Sequence, residues 1–245
     1  MKRIEFIGTA GVGKTSIYQS LDFERSMFGS LDDLILFSSR CVCLEKVPFV
    51  KNFLGAVPQS IFDRLVKKLV SRDQIFCSIL NEKSCVSSSR LYDFVTGDLD
   101  YTKVRPEPFR ARCALLLAGE KYNYLKIPVF DEGLLGCIKD VESLCFERAL
   151  DELLGVVHID SDPVSLLAGL KARVAAGNFK GARMLSERSE KEMLKILDSR
   201  LQHTRNKKAA LIGRGVPVVS VNYHANPLVA KKQANDFLGS LDATD

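Results

Sequence analysis

The residues best suited to chemistry form a glycine-rich stretch, G-T-A-G-V-G-K-T, at positions 8–15. It matches the spacing G-x-x-x-x-G-K-[ST], follows an apolar run and precedes a segment, 16–21, that can form a helix. Glycines let backbone N–H groups curl inward around a phosphate, Lys14 can reach the β- and γ-phosphates, and the Thr15 hydroxyl can ligate Mg²⁺. A chance glycine-rich turn is the alternative. The register of lysine and threonine favours a nucleoside triphosphate site built from Gly8, Gly11, Val12, Gly13, Lys14, Thr15 and Ser16.

A second candidate is an apolar segment, 127–130, that ends in Asp131, Glu132 and Gly133. Ligands of open α/β sheets bind beyond the carboxyl ends of the strands, where these carboxylates are expected. Successive strand side chains point to opposite faces, so one carboxylate should enter the site, and Asp131 is nearest the strand end. Asp131 is predicted to hold the water shell of Mg²⁺ or to accept a proton from an attacking hydroxyl. Capping of the following helix is the alternative.

The third candidate is a strand-like segment, 156–159, that runs into a turn at 160–163 and then into a basic stretch. The planar guanidinium of arginine suits the phosphate oxygens in phosphoryl transfer, so Arg173 and Arg183 are predicted catalytic residues beside Lys14 and Asp131. Gly177 and Gly181 are typical of hinges in a mobile segment. A solvent-facing basic helix is the alternative. The basic side chains are Lys171, Arg173, Lys180, Arg183 and Arg188.

Composition is that of a soluble globular protein, with 46% hydrophobic and 27% charged residues over 245 positions. The net charge is only +5, yet segment 168–208 carries eleven Lys or Arg against four Asp or Glu. This excess predicts either a solvated helical face or a lid that neutralises polyphosphate. Nucleic-acid binding is disfavoured, because Phe179 is the only aromatic residue that the run offers for stacking on bases.

Hydropathy and cysteine usage point to the cell interior. No apolar run approaches the roughly 20 residues of a spanning helix, and Glu5 interrupts any signal-peptide core, so neither a membrane nor export is expected. The seven cysteines lack the paired spacing of a zinc site. Cys113, Cys137 and Cys145 have apolar neighbours and are predicted to be buried, reduced thiols. The predicted location is cytoplasmic.

Apolar segments at wide intervals, separated by helix-compatible stretches, predict an α/β fold. The predicted strands are 3–7, 127–130, 156–159 and 216–221, with 34–38 as a further candidate. They suggest a single three-layer sandwich in which a mostly parallel sheet is flanked by helices. The segment 96–108 is the predicted long loop, and helices are predicted within 61–70, 74–80, 110–122 and 228–241. A helical acceptor-binding insertion is expected at about 40–125 and a basic lid at about 168–208.

The chain resembles the P-loop nucleoside and nucleotide kinases in three segments and their order. These segments are 8–15, then 130–133, then 158–163 followed by Lys171 and Arg173. Thymidylate-kinase-like members are the most similar. Segment 215–222 looks like the last core strand of that family, and the resemblance implies a base pocket at 222–226. It also implies an ATP-dependent phosphotransferase that uses Mg²⁺ and a small-molecule acceptor. Thymidylate kinases usually carry Asp-Arg where this chain has Asp131 and Glu132, so the acceptor stays open among nucleosides, nucleotides and other hydroxyl compounds.

A phosphorylated acceptor would need cationic anchors, and the unmatched region supplies arginines. Arg110 and Arg112 directly precede the helix that leads into the acidic strand, which would keep one of them near the site. The oligomeric state stays open, a homodimer included. The candidate anchors are Arg40, Arg64, Arg90, Arg105, Arg110 and Arg112.

Two other function classes compete with the kinase. A regulatory GTPase needs Asp-x-x-Gly and Asn-Lys-x-Asp motifs, but Gly133 stands two positions after Asp131, and Ala209 stands where the second motif needs Asp. The stronger alternative is a P-loop ATPase that acts as a nucleotide-gated binding or assembly protein. Its mark would be acceptor-independent hydrolysis that a protein or nucleic acid stimulates. The lid-like segment favours the kinase.

Overall fold

The structure, a computed structural model, describes residues 1–23, 26–46, 102–177 and 188–242. Several sequence predictions therefore lie outside the described residues. They are the helices at 61–70 and 74–80, most of the acceptor-binding insertion, Gly181, and the basic residues Arg64, Arg90, Lys180 and Arg183.

The described strands form one parallel sheet. Their bounds are β1 Arg3–Ile7, β2 Phe28–Ser30, β3 Ile127–Phe130, β4 Leu153–Asp160 and β5 Val218–Asn222. The order across the sheet is β2-β3-β1-β4-β5. β1 is buried along its whole length, as parallel strands covered on both faces must be. The strands predicted at 3–7, 127–130, 156–159 and 216–221 are confirmed, and so is an α/β sandwich with helices flanking a parallel sheet.

The described helices are α1 Lys14–Tyr18, α2 Leu31–Lys46, α3 Pro106–Lys121, α4 Leu144–Arg148, α5 Pro163–Ala175, α6 Glu190–Gly213 and α7 Pro227–Asp242. A 3₁₀ helix covers Leu135–Cys137. The helix predicted at 228–241 is confirmed as α7. α3 starts earlier than predicted because Pro106 at its first turn has a preset φ and no N–H to satisfy, so the predicted loop ends before Pro106. No helix among these is long and apolar enough to cross a membrane.

The strand predicted at 34–38 is wrong, because this segment lies inside α2. A short apolar run fits a buried strand and a buried helix equally well. The turn before it decides the matter: the Ser30 N–H donates to Asp33 Oδ2 at 3.0 Å, and the Asp33 N–H donates to Ser30 Oγ at 3.1 Å. This reciprocal pair starts the helix, and Leu34, Ser38 and Val42 then bury one face at helical spacing.

The chain divides into two compact units, and the first consists of Met1–Arg3 and Phe23–Glu152. In it, β2 and β3 pair in parallel, with Phe28 opposite Ile127. α2 packs against α3, whose apolar side is buried. Cys113, Cys137 and Cys145 are buried free thiols, as predicted.

The second unit consists of Ile4–Asp22 and Leu153–Asp245. β4 and β5 pair in parallel, with Asp160 opposite Asn222. α5 and α6 pack on each other, and α6 also packs on β4 and β5. α7 covers the face of β4 that carries Gly155, where a Cβ would lie 2.8 Å from Phe237 and 2.9 Å from Leu241. The final helix therefore packs on the sheet.

Candidate functional site

Residues 8–15 form a tight loop between β1 and α1, and two of its positions accept only glycine. Gly11 has φ 95° and Gly13 has φ 97°, values that side chains strongly disfavour. A Cβ on Gly13 would lie 2.5 Å from the Tyr223 ring, and one on Gly11 would lie 2.8 Å from Leu170 Cδ2. Both the turn and the side chains packed against it therefore require these glycines.

The loop holds the Lys14 ammonium against its own carbonyl groups. Lys14 is only 8% exposed. Its Nζ donates hydrogen bonds to the oxygens of Gly8 at 2.7 Å and Thr9 at 3.2 Å. The ammonium group is therefore held inside the loop, and its burial is tolerated because the group is hydrogen-bonded.

Backbone N–H groups of the loop supply the other half of an anion site. Within the part of the chain that the structure describes, the N–H groups of Ala10, Gly11 and Gly13 donate no hydrogen bond. Such groups in a turn with left-handed residues form concavities that bind anions. Val12 and Ile17 are fully buried and anchor the loop on the core. The loop thus offers main-chain donors and an ammonium to one phosphate group.

The helix expected from segment 16–21 begins earlier, at Lys14, and has only five residues, ending at Tyr18. The partial charge of so short a helix adds little, so the loop N–H groups and Lys14 supply most of the attraction for an anion. Thr15 is exposed and Ser16 is partly buried. Mg²⁺ takes one or two protein oxygens and keeps several waters, and an exposed hydroxyl at Thr15 fits that ligand role.

α5 brings one of the predicted arginines to the loop side of the second unit. Leu166 and Leu170 approach Gly11, where a Cβ would lie 3.1 Å and 2.8 Å from them. Arg173 follows Leu170 by three residues, so it shares this helix face one turn further along. It is exposed, in the last turn of α5. Arg183, the other predicted catalytic arginine, lies outside the described residues.

The predicted acidic residue Asp131 lies in the first unit, directly after β3, and is partly buried. The alternative that it caps a helix is wrong for the 3₁₀ helix that follows, whose N-cap is Leu134 without a side-chain cap. Glu132 is exposed and lies near Arg112, whose Nη2 is 3.9 Å from Glu132 Oε2. Asp131 therefore remains the better candidate of the two carboxylates.

Two of the arginines predicted to anchor an acceptor bind main-chain carbonyls. Arg105 Nη2 donates to the Gly136 oxygen at 2.6 Å. Arg112 donates through Nε to the Glu132 oxygen and through Nη1 to the Pro108 oxygen at 3.0 Å. These contacts give both side chains a role in local structure.

The segment after β5 contacts the glycine-rich loop at 8–15 through residues that the sequence did not single out. The Tyr223 ring packs on Gly13, and His224 Nε2 lies 3.2 Å from the Gly11 oxygen. Asn222 and Asn226 hold the turn: Asn222 Oδ1 accepts from the Ala225 N–H at 3.0 Å, and Asn226 Oδ1 accepts from the first turn of α7. Only the resemblance pointed to this segment, and it gave no roles for individual side chains.

A second unpredicted feature is an ion pair at the carboxyl end of β4. Arg205 Nε donates to both carboxylate oxygens of Asp160, at 3.0 and 3.2 Å, and its Nη2 donates to the Ser161 oxygen at 2.8 Å. Burial alone would raise the pKa of Asp160, but hydrogen bonds from Arg205 and from the Ser161 N–H outweigh it and lower that pKa. Asp160 belongs to the third sequence candidate, but nothing in the sequence pairs it with Arg205.

His158 lies inside the second unit, on the same face of β4 as Asp160. It is 0% exposed, its Nδ1 is 3.3 Å from Ser220 Oγ, and its Nε2 has no hydrogen-bond partner among the described residues. Burial lowers the pKa of His158 to about 4; nearby Asp160 opposes this change, and Lys208 and Arg205 reinforce it. His158 is therefore neutral at physiological pH and belongs to the core.

Acid should destabilise the protein through His158. The unfolded side chain binds a proton near pH 6.5 and the folded one only near 4. Its contribution to the free energy of unfolding is therefore complete above pH 6.5 and is lost as the pH falls towards 4. We expect a loss of about 2 kcal/mol between pH 7 and pH 5. Urea unfolding of a His158→Asn variant should show a smaller pH dependence. The matched variant His203→Asn, at an exposed position on α6, should leave most of it; equal effects of the two would contradict the assignment to His158.

These contacts place the glycine-rich loop at 8–15, the end of β4, one face of α5 and the turn at 222–226 within one compact unit. Any statement about activity depends on the chemistry of these residues. No family model matches the sequence, and neither the curated proteins nor the solved structures contain a match to the chain.

Proposed function

We propose that the protein is an ATP-dependent phosphotransferase that moves the γ-phosphoryl group to a small-molecule acceptor, with nucleosides and nucleotides as the first candidates. The observation that carries the proposal is the loop at 8–15, in which three N–H groups find no acceptor among the described residues and the Lys14 ammonium is hydrogen-bonded to the loop carbonyls. A polyphosphate is the ligand that satisfies both kinds of group at once.

In the proposed reaction, Lys14 leaves the carbonyls of Gly8 and Thr9 and binds the β- and γ-phosphates. The N–H groups of the loop bind the same oxygens and hold the nucleotide in place. Arg173 and Arg183 would stabilise the charge that develops on the transferring group. Thr15 would bind Mg²⁺, which neutralises the phosphate oxygens when it is present. Catalysis would depend on positioning and electrostatics rather than on covalent chemistry.

The turn at 222–226 is the proposed place for the base. Tyr223 lies directly on the phosphate loop and offers an aromatic ring beside the nucleotide site. Stacking on an aromatic ring tolerates any base, so this contact alone does not choose ATP over GTP. ATP is proposed on the resemblance to nucleoside and nucleotide kinases.

The proposal is tested by titration calorimetry of the pure protein with ATP and GTP, each with Mg²⁺, followed by a transfer screen with γ-labelled ATP. The screen should contain nucleosides, nucleotides and sugars. Saturable binding with label transferred to one acceptor class supports a kinase. Binding with hydrolysis that no acceptor changes, but that a protein or nucleic acid stimulates, would favour the gated ATPase. Folded protein without affinity for either nucleotide would refute both.

Asp131 has a separate test. If it binds the metal shell or accepts the acceptor proton, Asp131→Asn should lower turnover by about 10²–10⁴-fold, because the amide is neutral and no base. The melting temperature should change little. Glu132→Gln, at the neighbouring exposed carboxylate, is the matched control and should keep most of the activity. A lower melting temperature with full turnover in Asp131→Asn would make its role structural.

A further inference from the structure

The ion pair between Arg205 and Asp160 is built more firmly than an ordinary surface salt bridge. Nε contacts both carboxylate oxygens of Asp160, while Nη2 is 3.0 Å from Asp160 Oδ1 and also donates to the Ser161 oxygen. Arginine can make these contacts together because its planar fork is rigid. The Ser161 N–H donates in turn to Asp160 Oδ1 at 2.9 Å. The pair therefore fixes both the carboxylate and the main chain where β4 ends.

The end of β4 touches the phosphate loop. A Cβ on Gly8 would lie 2.8 Å from the main-chain oxygen of Ile159, the residue before Asp160. Gly8 is the first residue of the loop, and its carbonyl also accepts the hydrogen bond from Lys14. A shift of the main chain at 159–161 would therefore be felt at the base of the loop, because close-packed groups transmit small displacements.

The same turn also sets the position of α5. Asp162 is the N-cap of this helix, and its Oδ1 accepts from the Ser165 N–H at 2.8 Å. Pro163 follows in the first turn. One turn later Leu166 and then Leu170 pack against Gly11. Through α5, the turn at 160–162 is thus linked to a second position of the loop, Gly11.

We infer that Arg205 and Asp160 are positioning residues for the phosphate loop. Arg205, on α6, fixes the main chain at the carboxyl end of β4. This segment packs against the loop at Gly8 and, through α5, at Gly11, and so holds the loop in its binding conformation. The consequence for nucleotide affinity rests on the proposed function. The effect on the loop itself does not.

The test compares Arg205→Gln, Arg205→Lys and Asp160→Asn with the wild-type protein by hydrogen exchange without nucleotide. The amides of Val12 and Ile17, which donate to the Thr9 and Gly13 oxygens of the loop, should exchange about ten-fold faster in Arg205→Gln and Asp160→Asn, with partial recovery in Arg205→Lys, whose ammonium cannot make all the contacts. Amides in the second half of α7, which packs on β4 at Gly155 and away from Asp160, are the internal reference and should keep their protection. Gln202→Ala, an exposed position one turn earlier on α6, is the control variant and should leave the loop unchanged.

Nucleotide affinity gives a second reading of the same variants. The Kd for Mg·ATP should rise about ten-fold in Arg205→Gln, and the Arg205→Gln, Asp160→Asn double variant should be no weaker than that single variant. Unchanged exchange at Val12 and Ile17 would overturn the inference. Equally faster exchange in the second half of α7 would overturn it too, since the pair would then stabilise the whole unit rather than the loop. If the wild-type protein binds no nucleotide, the proposed function fails, while the exchange data still decide whether the pair positions the loop.

Discussion

Replacement of Lys14 by alanine is expected to lower kcat/KM for phosphoryl transfer by about 10²–10³-fold. The variant would lose the charge-assisted contact that we propose between Lys14 and the β- and γ-phosphates, and no other described side chain of the loop can replace it. Stability should change little, because the alanine also relieves the cost of holding an ammonium at 8% exposure. Steady-state kinetics with Mg·ATP and thermal unfolding of the same preparation check both halves of this expectation.

Lys232→Ala is the matched control, since Lys232 is an exposed lysine on α7 in the same unit. It removes one positive charge without touching the loop and should keep wild-type kinetics. Normal turnover in Lys14→Ala would contradict the assignment of residues 8–15 to the phosphates. A general loss of folded protein in Lys14→Ala would assign the lysine to stability instead.

The second large effect is expected from Gly13→Ala. The new methyl group would meet the Tyr223 ring at 2.5 Å in a backbone with φ 97°, so both the ring and the turn must move. We expect a loss of about 1–3 kcal/mol in the free energy of unfolding and nearly complete loss of Mg·ATP binding. Urea unfolding and titration calorimetry measure the two effects.

Two other glycines separate the effect of backbone strain from the effect of the contact with Tyr223. Gly215 has φ 76° with open space around it, so Gly215→Ala should show backbone strain alone, about 1–2 kcal/mol, and bind ATP normally. Gly213, at the end of α6, has open space and no positive φ, so Gly213→Ala should be neutral or stabilising by up to about 1 kcal/mol. If Gly13→Ala behaved like Gly213→Ala, the contact with Tyr223 would have no functional weight.

The parts of the fold that the sequence predicted are those that residues close together in the chain determine. β1 and the loop at 8–15 were predictable because strand, glycines, Lys14 and Thr15 follow one another directly in the chain. The error at 34–38 has a local cause too: an unbroken apolar run carries no period, and the reciprocal hydrogen bonds of Ser30 and Asp33 decided for a helix.

The contacts that complete the candidate site could not be predicted, because their partners are far apart in sequence. Arg205 is one of eleven basic residues in segment 168–208, and no pattern distinguishes it from the others. Its selection by Asp160 follows from how α6 crosses β4. Tyr223 reaches Gly13 for a similar reason, since both depend on the packing of elements that only the folded chain brings together.

The unit that carries the loop at 8–15 is discontinuous, because it joins Ile4–Asp22 to Leu153–Asp245. During translation the loop is made early, but Tyr223 and His224 leave the ribosome much later, after the whole of the first unit. Until then Gly11 and Gly13 lack the side chains that pack on them in the finished fold. If residues 8–15 bind a nucleotide as proposed, a nascent chain would acquire the complete site only after Tyr223 and His224 have emerged.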